Sequence, residues 1–77
     1  MKTYTLSLPC VDVFQILDAL DSRAQSWEYT ARLLAGESSL EDDFCVAEDC
    51  RSYEEAVGIA RHFRDVAEKI RAQMAAT

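Results

Sequence analysis

From Cys10 onward, apolar or small residues recur at Cys10, Val13, Leu17, Leu20, Ala24, Trp27, Ala31 and Leu34. Spacings of three and four sustained over more than three heptads predict an amphipathic helix of roughly 25 residues. Pro9 stands at its start, where a missing N–H loses no partner, and Asp12 suits the positive end of the helix dipole. Gly36 follows the last periodic residue, the usual place for a C-terminal glycine. Tyr53, Ala56, Ala60, Phe63, Ala67, Ile70 and Met74 repeat the same spacing, with Ile59 and Val66 widening the face. Ser52 and Glu55 have the S-x-x-E spacing of a capping box and mark the start of this second helix.

The two seams match in period and length and alternate large residues with alanine, so they predict an antiparallel αα-hairpin with closely approaching helices. Ahead of it, Thr3–Leu8 alternate polar and apolar strictly, placing Tyr4, Leu6 and Leu8 on one face of a short strand. Asp43–Ala47, between the helices, is a candidate second strand. The two strands would lie at opposite ends of the hairpin, which makes pairing within one chain awkward. Phe14, Ile16 and Leu33 lie beside the first seam, so the apolar stripe is wider than two helices need. An unpaired strand edge and a surplus of apolar surface both favour a partner chain. The expectation is a mainly α fold, one domain over residues 1–77, dimerising as a four-helix bundle.

Charge changes the picture. Between residues 37 and 55 stand eight carboxylates (Glu37, Glu41, Asp42, Asp43, Glu48, Asp49, Glu54 and Glu55) and one cation, Arg51. The formal charge of the whole chain is −6, so this stretch at −7 leaves the remainder at +1. An acidic tip of this kind suits a basic partner, Glu41, Asp42, Asp43, Glu48 and Asp49 forming the contact. The same balance opposes binding to nucleic acid or anionic lipid. The EF-hand pattern of alternating ligands about a central glycine is absent, so the acidic run also reads as a solvated loop.

Seventy-seven residues bury about 60% of the surface that the unfolded chain exposes, so stability needs help from a disulfide, a metal or self-association. Three cysteines and an N-terminus, Met1–Thr5, without a signal-peptide core point to reduced thiols in the cytoplasm. No apolar run reaches the roughly 20 residues of a membrane span. Cys10, Cys45, Cys50 and His62 are zinc-ligand types, but a helical rise of 1.5 Å per residue puts His62 roughly 15 Å from Cys50 and leaves Cys10 further away. Neither a metal nor another cofactor is expected. With a single histidine and no nucleophile, base and orienter set, the chain is not expected to be an enzyme.

Helix two is basic after its first turns, with Arg61, Arg64, Lys69 and Arg71. Glu28 with Arg32 and Asp65 with Lys69 have i,i+4 spacing. A second functional reading places Arg61 and Arg64 at a dimer groove that holds an anionic nucleotide.

The segments Leu17-Asp18-Ala19-Leu20-Asp21-Ser22-Arg23, Trp27, Thr30-Ala31 and Gly36-Glu37, followed by Glu48-Asp49-Cys50, Glu55-Ala56, Ile59-Ala60, His62 and Ile70, resemble a group of short proteins encoded by bacteriophages and other mobile elements. These residues form a helical-hairpin pattern and not a catalytic signature. The resemblance implies a gene neighbourhood in which small acidic proteins inhibit host factors, the anti-CRISPR proteins among them. On that reading the partner is a host protein complex with a basic surface.

Overall fold

The structure, a computed structural model, describes residues 1–36 and 50–76. Two helices, α1 (Cys10–Leu34) and α2 (Tyr53–Ala75), pack against one another. Asp21 meets Arg71 and Arg64, while Glu28 meets Arg64, so the helices run antiparallel.

Local chemistry sets the helix ends. The Pro9 carbonyl accepts from the Asp12 and Val13 N–H groups at 3.0 and 3.1 Å, and Asp12 lies in the first turn of α1. At the other end the chain turns at Gly36, whose φ of 88° lies in the left-handed region that favours glycine. Its N–H donates to Leu33 O, and that of Ala35 to Ala31 O. Helix α2 starts from Ser52, whose Oγ accepts from the Glu55 N–H at 3.1 Å, the Ser52 half of the capping box.

The core is thin. Among the described residues its buried hydrophobic members are Leu17, Ala24, Trp27 and Ala31 of α1 and Ala56, Ala60 and Ala67 of α2, so five of seven are alanine. The alanines let the helix axes approach closely, and Trp27, 8% exposed, supplies the largest apolar area. Its indole Nε1–H is buried without an acceptor among the described residues. Thr30, which the periodic pattern passes over, is also buried; its Oγ1 donates to Ser26 O at 2.9 Å, so the hydroxyl is satisfied within the helix.

Three seam positions expected inside are exposed: Cys10, Leu34 and Tyr53. A straight helix drifts by about 20° per heptad against a seven-residue repeat, which carries the ends of so long a seam out of the contact. The expected N-terminal strand is also corrected. Residues 1–9 have no regular secondary structure and are all exposed, with Tyr4 and Leu6 each at 75%. A strand exists only against a neighbour, and among the described residues no second strand is present to pair with it. The candidate strand at residues 43–47 lies outside the described residues. The four-helix bundle requires two chains, and the structure is of one.

Two substitutions check the seam. Trp27→Ala should cost about 3–5 kcal/mol in urea unfolding, whereas Trp27→Phe, which keeps a ring and deletes the orphan donor, should lose much less. Ala67→Leu should cost about 1–3 kcal/mol by forcing the helices apart, while Ala72→Leu on the exposed face should leave the urea midpoint unchanged. Equal effects at positions 67 and 72 would mean that the alanine seam does not set the packing.

Candidate interaction surface

With roughly 100° of rotation per residue, the positions flanking the seam divide onto two sides of the hairpin. On one side α1 presents Asp21 and Glu28, and α2 presents Arg64 and Arg71. The Arg64 guanidinium grips Glu28 with two bonds, Nε to Oε2 at 3.0 Å and Nη2 to Oε1 at 2.7 Å. Its Nη1 donates to Asp21 Oδ1 at 3.3 Å, and Arg71 Nη2 donates to Asp21 Oδ2 at 2.6 Å. Two cations and two carboxylates thereby form one chain of ion pairs that latches α1 to α2.

The electrostatics follow from these bonds. The hydrogen bond from Arg71 chiefly holds the Asp21 carboxyl below its ordinary range, and the Arg64 bond does the same for Glu28. The Glu28 carboxylate in turn raises Arg64 above the usual guanidinium value. All four side chains remain about a third to a half exposed, so water screens them and each pair contributes on the order of 0–1 kcal/mol. The expected partner of Glu28, Arg32 on its own helix, gives way to Arg64: the cross-helix fork offers two parallel bonds, which an i,i+4 pair on one surface seldom does.

The opposite side is apolar. Ile16, Leu20 and Trp27 of α1 lie there beside Ile59, Phe63, Val66 and Ile70 of α2, all partly exposed except the buried Trp27. Arg23 reaches across the seam, its guanidinium carbon 5.8 Å from the centre of the Phe63 ring, a cation–π contact that lays the charge flat against the surface.

The acidic contact residues Glu41, Asp42, Asp43, Glu48 and Asp49 lie outside the described residues. Arg61 and Arg64 are brought together: both line a shallow open depression on the ion-paired side, with Glu28, Val57 and Ala60. Arg64 is already engaged by two carboxylates there, so an anion entering the depression would have to displace them. Cys10 is exposed at the start of α1, and Cys50 lies by the start of α2, its Sγ donating to Ser52 O at 3.6 Å. The antiparallel arrangement puts these two thiols at opposite ends. Among the described residues no group of three His, Cys, Asp or Glu side chains could hold a metal ion, and no helix is long and apolar enough to cross a membrane. His62 is exposed, its ring 6.5 Å from that of Phe63.

The ion-pair latch was not foreseen from local spacing, because its partners are 36 to 50 residues apart in sequence. A signal did exist once the hairpin was assumed. In an antiparallel pair, Asp21 and Glu28, seven residues apart, face Arg71 and Arg64, also seven apart and in reverse order. Comparisons with protein-family models, curated proteins and solved structures find no match for this chain.

Because the folded carboxyls titrate below their unfolded counterparts, the latch contributes fully above about pH 4.5, the unfolded range, and is lost as pH falls through the folded values. Stability measured by urea unfolding should therefore drop below about pH 4.5, and less steeply in the Asp21→Asn/Glu28→Gln double variant. An unchanged acid slope in that variant would remove the latch as a source of stability.

Proposed function

We propose that this chain is a noncatalytic interaction protein that binds a macromolecule with a basic surface, Glu41, Asp42, Asp43, Glu48 and Asp49 making the contact. One observation carries this reading: the chain's net charge is concentrated in residues 37–55, while Arg64 and Arg71 on the hairpin's flank are paired with Asp21 and Glu28. Arg64 and Arg71 cancel Asp21 and Glu28, so the long-range field comes mainly from the acidic connection between the helices. Such a field accelerates encounter with a basic partner and weakens as salt is added. The reduced thiols expected of an odd cysteine count fit a cytoplasmic partner. The resemblance to phage-borne proteins fits one whose basic surface the acidic segment would occlude, as an anti-defence inhibitor of the anti-CRISPR type does.

The second reading, an anionic nucleotide held by Arg61 and Arg64, has their shared depression in its favour. Engagement of Arg64 by Glu28 and Asp21 weighs against it, since a ligand must first release those bonds.

Replacing Glu41, Asp42, Asp43, Glu48 and Asp49 together by lysine should abolish capture of the partner from a host lysate at low salt while leaving the circular dichroism of the helices unchanged. Capture retained by this variant, or unaffected by salt in the parent chain, would rule out the acidic contact. A nucleotide at 100 times its dissociation constant would add about 2.7 kcal/mol of stability, so a thermal-shift panel distinguishes the second reading; the first expects no shift.

A further inference from the structure

We draw no further inference here: the strongest candidate, the partly exposed apolar side of the hairpin formed by Ile16 and Leu20 of α1 with Ile59, Phe63, Val66 and Ile70 of α2, carries none because nothing in the structure shows what covers it.

Discussion

Trp27 and Ala31 of α1 cluster with Ala56 and Ala60 of α2, and these alanines, with the buried Ala24 and Ala67, let the helices approach closely. Larger residues there would hold the axes further apart. The fork from Arg64 to Glu28 would then lose its fit, since two bonds of 2.7 and 3.0 Å to one carboxylate tolerate little displacement. The same closeness pushes every larger apolar residue toward the flanks, where Ile59, Phe63, Val66 and Ile70 are half covered. Close packing therefore brings a specific register together with incomplete burial.

These consequences divide the molecule by role. The ion-paired side closes one edge of the seam and removes the flanking cations from the chain's external field. The sequence concentrates the net charge in residues 37–55, which is why the proposed function assigns electrostatic recognition to that stretch and not to helix two. The apolar side, by contrast, carries Ile59, Phe63, Val66 and Ile70, which the hairpin leaves half covered. On the proposed function, recognition falls on the acidic stretch and not on the ion-paired flank of the hairpin.

Much of the hairpin was legible in the sequence. The span of α1, its stop at Gly36 and the Ser52 start of α2 follow from periodicity and from end-capping chemistry that acts over four residues. The inward alanines and Trp27 were legible for the same reason, as period alone places them on one stripe. Thr30 was missed because its residue type signals surface, although its hydroxyl can be satisfied by its own helix at Ser26 O. The alternation in residues 3–8 misled, because a period of two records a preference for extended chain and not the existence of a pairing edge.

For the candidate surface, sequence by itself determined where charge accumulates and which residue types line each helix, since both are properties of order along the chain. Only the tertiary structure decided which of those residues meet. It joined Arg64 to Glu28 and Asp21 across 36 and 43 positions, laid Arg23 over Phe63, and separated an ion-paired flank from an apolar one. Local spacing could not decide this, because the pairing of two helices fixes their relative rotation and offset, and these come from the fit of the alanine seam as a whole.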